Sequence, residues 1–297
     1  MSIATLIAAD SLESGAISEA CDRLSGARLD PAEINWIAPG LAADISFSGA
    51  VDVARAALQP MEAQFDIAVQ SGEHRCKMLL VSDMDSTMIT VECIDELADY
   101  AGIKPEIAAI TERAMAGELD FAEALRARVA LLAGLNESII AECLRERVRP
   151  MPGALELVRT MAGWGAHTML VSGGFTSFAD PVAAQIGLAE VHANVLEIAE
   201  GRITGRLSGA IVDAAAKRRF LQAAVTSQGQ MPAQTLAVGD GANDIPMIAA
   251  AVEGQGLGVG YHPRPALAQA ANFSVRHSDL TALLFAQGVA KEHWTTG

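Results

Sequence analysis

The sequence predicts an α/β protein in which a doubly wound parallel sheet carries a helical insertion and follows a small α+β module. Three observations predict it. From residue 77 onward, short apolar runs alternate with stretches of helical spacing, the pattern of parallel strands joined by helices on both faces of one sheet. Residues 91–149 interrupt that alternation with helical spacing alone. Three of the apolar runs end in acidic or glycine-rich polar residues, at the strand end where open parallel sheets bind ligands.

Composition narrows the function classes. With 297 residues, 51% hydrophobic and 19% charged, the chain buries a sizeable core and is not intrinsically disordered. Its 21 Lys and Arg against 36 Asp and Glu give a formal charge of −15, the wrong sign for a protein whose main partner is a nucleic acid. A phosphorylated small ligand would therefore need local cations, either a metal or well-placed Lys and Arg. Cys21, Cys76, Cys93 and Cys143 lie far apart with no C-x-x-C pair, so buried free thiols are expected. The six histidines lack ligand spacing and are expected to be structural or on the surface. No apolar run approaches the ~20 residues that span a bilayer. The N-terminus has no basic flank of a secretory signal, so a soluble, cytoplasmic protein is expected.

The elements follow in order. Residues 3–8 read as a strand, 14–24 as a helix, 34–37 and 43–47 as strands, 51–58 as a helix and 65–69 as a strand. This is the split β-α-β-β-α-β arrangement of ferredoxin-like modules, assigned to a domain of residues 1–74 that ends in the hydrophilic joint 71–74. A second domain, residues 75–297, opens with the apolar run 78–81, a strand covered on both faces. The helical cap occupies about 91–150, with apolar positions recurring through Ile94, Leu97 and Ala98 and again through Leu125, Val129 and Leu132. After Pro150-Met151-Pro152-Gly153, strands fall at 167–171, 236–239, 257–259 and 273–275. Helices fall at about 154–163, 176–186, 213–227, 244–251, 264–271 and 279–287. Residues 194–197 and 202–207, joined through Glu200-Gly201, read as a separate small hairpin. Residues 256–260 alternate glycine with apolar residues, but no glycine-opened helix follows to complete a nucleotide fingerprint.

The predicted strand ends bring chemistry together. Side chains alternate along an extended segment, so Asp83 and Asp85 share one mouth while Met84 turns to the core. If Asp240 and Asp244 of Asp240-Gly241-Ala242-Asn243-Asp244 join them, such a density of carboxylates requires protons or a hard cation between them. An oxygen-only, partly hydrated site favours Mg²⁺. Lys217, opening a helix capped by Asp213, supplies a mobile cation. Ser172 and the backbone N–H groups of Gly173 and Gly174, placed at the start of the next helix, offer donors for phosphate oxygens. These parts suit phosphoryl transfer, which needs an in-line nucleophile and neutralised charge.

In this order, Asp83-Met84-Asp85-Ser86-Thr87, Ser172-Gly173-Gly174, Lys217 and Gly239-Asp240-Gly241-Ala242-Asn243-Asp244 resemble the four motifs of the haloacid-dehalogenase-like (HAD) phosphatases, whose core is a Rossmann-like sheet. Glu92, Met115, Phe121, Arg128-Val129 and the segment 195–213 extend the resemblance to the phosphoserine phosphatase branch, over roughly residues 75–290. The resemblance implies hydrolysis of O-phospho-L-serine to serine and phosphate, the last step of serine biosynthesis. It implies Asp83 as nucleophile, Asp85 as general acid and base, and Lys217 on the phosphate. Mg²⁺ would be held by Asp83, the Asp85 carbonyl, Asp240 and Asp244. Substrate would be held by Glu92 at its ammonium, Arg128 at its carboxylate, Met115 and Phe121 at the lid, and Ser172, Gly173, Gly174 and Asn243 around the phosphate. A second reading keeps the aspartyl-phosphate but acts on another small phosphate ester, or transfers phosphate to an amino alcohol such as homoserine. The first 74 residues loosely resemble an amino-acid-binding ACT module, implying a regulatory role or a homodimer. Taken alone, several of these residues have plainer readings: Glu92 as a first-turn acid in a helix capped by Thr90, Arg128 as a solvated helix arginine, Met115 and Phe121 as cap core, and Ser172 as a helix cap.

Overall fold

The structure, a computed structural model, describes residues 1–115 and 118–295. The N-terminal part comprises β1 (Ser2–Ile7), α1 (Ser14–Gly26), β2 (Asp30–Ala38), β3 (Ala42–Ser48), α2 (Val51–Leu58) and β4 (Asp66–Ser71). Its strands form an antiparallel sheet in the order β2-β3-β1-β4, the predicted split arrangement. Strand alternation then decides what each face meets. Ala4, Leu6, Ile45, Phe47, Ile67 and Val69 pack beneath α1 and α2 with Ile17, Leu24 and Leu58. Ile7, Ala42 and Ala68, on the other face, join a core shared with the larger part of the chain.

The larger part runs β5 (Leu79–Ser82), α3 (Cys93–Ala101), α4 (Lys104–Met115), α5 (Phe121–Ala130), α6 (Ser138–Glu146), α7 (Ala154–Gly163), β6 (His167–Phe175), α8 (Thr176–Ile186), β7 (Glu190–Ala199) and β8 (Arg202–Ser208). It continues through α9 (Ala214–Ser227), β9 (Thr235–Gly239), α10 (Ile245–Glu253), β10 (Leu257–Tyr261), α11 (Pro265–Ala270), β11 (Phe273–Val275) and α12 (Ala282–Ala286). The seven-stranded sheet has the order β11-β10-β9-β5-β6-β7-β8. Every pairing is parallel except that of β7 with β8. The chain thus adds β6 and β7 on one side of β5 and β9 to β11 on the other, which opens a crevice at the carboxyl end of β5. No helix among the described residues is long and apolar enough to cross a membrane.

Four expectations need correction. The hairpin is not separate: Glu190 to His192 pair in parallel with β6 before β7 turns antiparallel to β8. The charged Glu190 and its bonds to His167 and His192 hid this strand in the sequence. Second, β6 does not stop at Val171; Asn194 of β7 donates to the Gly173 carbonyl at 2.8 Å and keeps the backbone extended to Phe175. Gly173 and Gly174 therefore end a strand rather than start a helix. Third, the helix expected at 279–287 is only Ala282–Ala286, because side chains capture the preceding backbone: Asp66 accepts from the Ser278 N–H and Asp279 from the Thr281 N–H. Fourth, Cys93 and Cys143 are buried but Cys21 is half-buried and Cys76 exposed.

The cap is α3 to α6. Its entry and exit linkers run side by side, with the Thr90 N–H donating to the Arg149 carbonyl at 3.0 Å and Met151 N–H to the Met88 carbonyl at 2.8 Å. The tip of β8 supports it: Gly134 N–H donates to the Ile203 carbonyl at 2.8 Å, and Ile203 N–H to the Leu135 carbonyl at 2.9 Å.

Candidate active site

The loop after β5 sets the first carboxylate. Asp83 N–H donates to the Val238 carbonyl of β9 at 3.0 Å, so the residue is still fixed to the sheet when the chain turns away. Its Oδ1 accepts from the Met84 N–H at 2.8 Å and lies 2.7 Å from Lys217 Nζ. Its Oδ2 has one longer contact, 3.5 Å from Asn243 Nδ2. Asp213 caps α9 by accepting from the Ala216 N–H at 2.7 Å, which puts Lys217 in the first turn, aimed at the sheet. That lysine is not mobile. It is buried, and a second ion pair to Asp244 Oδ1, also 2.7 Å, pins it. Burial alone would lower its pKa, but the charges of Asp244 and Asp83 outweigh that and raise it above the lysine norm.

One carboxylate oxygen from each of Asp83, Asp240 and Asp244 lies within 4.8 Å of the others. Two such charges repel by about 4 kcal/mol at ~4 Å and an effective dielectric near 20, and Lys217 is the single ammonium among them. The remainder appears as proton affinity. Burial and then Asp83 push Asp240 up to about 6 and Asp244 to about 7. A group of oxygen donors at this spacing with excess negative charge fits a hard divalent cation. Asp85 is pushed up to about 8 by burial first, then by the charges of Glu92 and Asp83. A carboxyl group whose proton affinity is raised in this way can donate its proton to a leaving group.

The cap supplies the facing wall. Asp120 and Glu123 form a capping box at the start of α5, and this places Phe121 as its first residue. A Cβ on Gly173 would lie 3.2 Å from Phe121 Cζ, so the ring reaches across to the end of β6. Thr90 does not cap α3; Glu92 is itself the N-cap residue and makes no capping bond with its side chain. That side chain instead accepts from Ser86 Oγ at 2.8 Å, and burial raises its pKa. Arg128, in the last turn of α5, is half-buried and makes no ion pair among the described residues. Its Nε donates weakly to the Ala124 carbonyl at 3.4 Å, and burial lowers its pKa against the pull of Asp95 and Glu92.

Of the residues singled out from the sequence, all but Lys217, Asp244 and Met115 line one cavity of about 520 Å³. Lys217 and Asp244 lie buried behind Asp83, and the Met115 side chain lies outside the described residues. Ser172 is buried with its Oγ accepting from the Gly174 N–H at 2.9 Å, so that donor already has a partner and Ser172 is not a helix cap. Sequence reasoning missed Arg264, which lines the same cavity and lowers the pKa of both Asp240 and Glu92. The signal existed: Arg264 follows the carboxyl end of β10, a fourth strand end at the same mouth.

A model of haloacid dehalogenase-like hydrolases matches residues 80–249. A phosphoserine phosphatase of Streptomyces coelicolor is 45% identical over 229 residues, which cover 76% of this chain and 55% of that protein. One from Albidiferax ferrireducens is 46% identical over 211 residues, 69% of this chain and 87% of the relative. An unliganded crystal structure of a probable phosphoserine phosphatase from Vibrio cholerae superposes with a TM-score of 0.78 at 33% identity, covering 98% of this chain and 88% of that one.

Proposed function

The chain belongs to the haloacid dehalogenase-like hydrolase family, and on that premise we propose that it hydrolyses O-phospho-L-serine to L-serine and phosphate through an aspartyl-phosphate. One observation carries the reading: a single cavity has a lysine-pinned carboxylate, Asp83, with the carboxyl of Asp85 on one wall and a separate carboxylate, Glu92, with the Arg128 guanidinium on the other. The first wall suits any phosphate monoester. The second suits a leaving group that bears both an ammonium and a carboxylate, with Glu92 for the first and Arg128 for the second, whose planar fork matches a carboxylate.

Asp83 attacks phosphorus; its oxygen–phosphorus bond forms as the bond from phosphorus to the serine oxygen breaks. Asp85 passes its proton to that oxygen. In the second step Asp85 takes a proton from water as the water attacks phosphorus, and Asp83 leaves as a carboxylate. Lys217 neutralises charge beside Asp83 throughout. Ser172, Gly173, Gly174 and Asn243 surround the phosphoryl group, and Phe121 limits water over it. Asp83, Asp240, Asp244 and the Asp85 carbonyl are the groups that would hold Mg²⁺, which would supply Lewis-acid neutralisation of the phosphoryl oxygens.

Phosphate release from phosphoserine, phosphothreonine and phosphoethanolamine, with Mg²⁺ and with excess EDTA, tests this. Phosphoserine should be the best substrate and EDTA should stop turnover. Equal rates on all three, or full activity in EDTA, would overturn the substrate or the metal assignment respectively. The N-terminal module also supports a homodimer, because the edge strand β2 exposes Ile34 and Trp36. Sedimentation should give two copies, and a monomer at micromolar concentration would reject it.

A further inference from the structure

We propose that Asp66, in the N-terminal module, is a positioning residue for the active site and acts through the exit linker of the cap. The proposal rests on the phosphatase reading above for its kinetic part only.

Asp66 is buried at the start of β4, and its partners belong to the other domain. Oδ1 accepts from the Arg276 N–H at 2.6 Å, and Oδ2 from the Ser278 N–H at 2.9 Å, with the His277 N–H shared between them at 3.2 and 3.4 Å. A buried carboxylate is costly unless such donors surround it, and these three N–H groups are the donors it has. The shape of residues 276–278 is therefore set by a side chain some 210 residues earlier in the chain.

From there each contact leads to the next. Asp279 Oδ1 accepts from the Thr281 N–H at 2.8 Å, and the Leu280 N–H donates to the Pro152 carbonyl at 3.2 Å. Gly153 has φ +80°, and a Cβ there would stand 2.6 Å from the Thr281 nitrogen, so the loop and the cap exit fit against each other without slack. Met151 N–H holds the Met88 carbonyl at 2.8 Å, while the Met88 and Ile89 N–H groups bond the Met84 carbonyl at 2.8 and 3.0 Å. Met84 lies between Asp83 and Asp85. A continuous set of hydrogen bonds and close contacts thus joins Asp66 to the paired cap linkers and to the catalytic loop. Loosening its origin frees the linkers on which the cap turns, and the cap wall holding Glu92 and Arg128 loses its fixed distance from Asp83.

Asp66→Asn tests this, because the amide keeps the shape but faces an NH₂ toward backbone donors. Asp279→Ala breaks a middle link without removing any of the hydrogen bonds to Asp66, and keeps the test alive if Asp66→Asn folds poorly. Hydrogen exchange followed by mass spectrometry on the full chain should show protection lost by about tenfold or more in peptides covering 88–90 and 149–153, with β9 and β10 unchanged. Turnover of phosphoserine should fall by about three- to tenfold, that of p-nitrophenyl phosphate by less than twofold, and the double variant should lose less than the product of the singles. Unchanged exchange in those linkers in either folded variant, or losses that multiply, would overturn the proposal. Exchange requires no substrate, so failure of the phosphoserine reading would register separately, in the wild-type turnover.

Discussion

The sheet wall and the cap wall of the cavity are built differently. On the sheet side, Asp83, Lys217 and Asp244 are buried and joined by two 2.7 Å ion pairs; on the cap side, Glu92 has one hydroxyl donor and Arg128 one long bond to a carbonyl. A buried ion-paired group pays its desolvation on folding and needs no rearrangement when a phosphate arrives. An exposed Glu92 and a half-buried Arg128 with few partners keep their hydrogen-bonding capacity for a ligand. On the proposed reading the contrast divides the labour, the sheet wall serving phosphorus and the cap wall the rest of the ester.

Variants can break that division, beginning with the largest effect. Asp83→Asn should reduce phosphate release by roughly 10⁴-fold or more on every ester while the circular dichroism spectrum is retained. A loss confined to phosphoserine would mean that the walls are not separable. Arg128→Ala should cost phosphoserine about 2–5 kcal/mol in kcat/KM, the range for truncating one partner of a buried charge pair, and should cost p-nitrophenyl phosphate far less; equal losses would remove Arg128 from the carboxylate. Phe121→Ala should be milder, about tenfold on phosphoserine through looser closure over Gly173. No change in kcat would make the ring cap packing only.

How much could be read in advance follows the same boundary. The sheet wall is coded locally: Asp83, Asp85, Ser172 and Asp240 follow apolar runs that can only be strands, and Asp213 marks the turn that carries Lys217. Its tightness was not legible, because the burial that turns a mobile lysine into a twice-paired one comes from packing of α9 on the sheet. On the cap side, helical spacing through Ile94, Leu97 and Ala98 located the first helix but not its start; α3 begins at Cys93, with Glu92 rather than Thr90 at the N-cap and its carboxylate turned to Ser86. Arg264 escaped because a short strand and a proline-bounded loop give it no motif. Thr5 and Asp44 read as ordinary strand positions and Gln70 as lying just past a strand, yet all three face the larger part of the chain. There Arg75 takes both oxygens of Asp44 at 2.7 Å and Gln70 donates to the Ala286 carbonyl at 2.7 Å. Such a contact depends on which sheet face is covered, and period-two alternation cannot say by what.

The central claim is that Asp83 carries the phosphoryl group between the two steps. Rapid acid quench during turnover of phosphoserine, borohydride reduction of acyl phosphate and peptide mass spectrometry should find the reduced residue at Asp83. Reduction at another carboxylate, with Asp83 intact in every peptide while turnover runs at full rate, would contradict it.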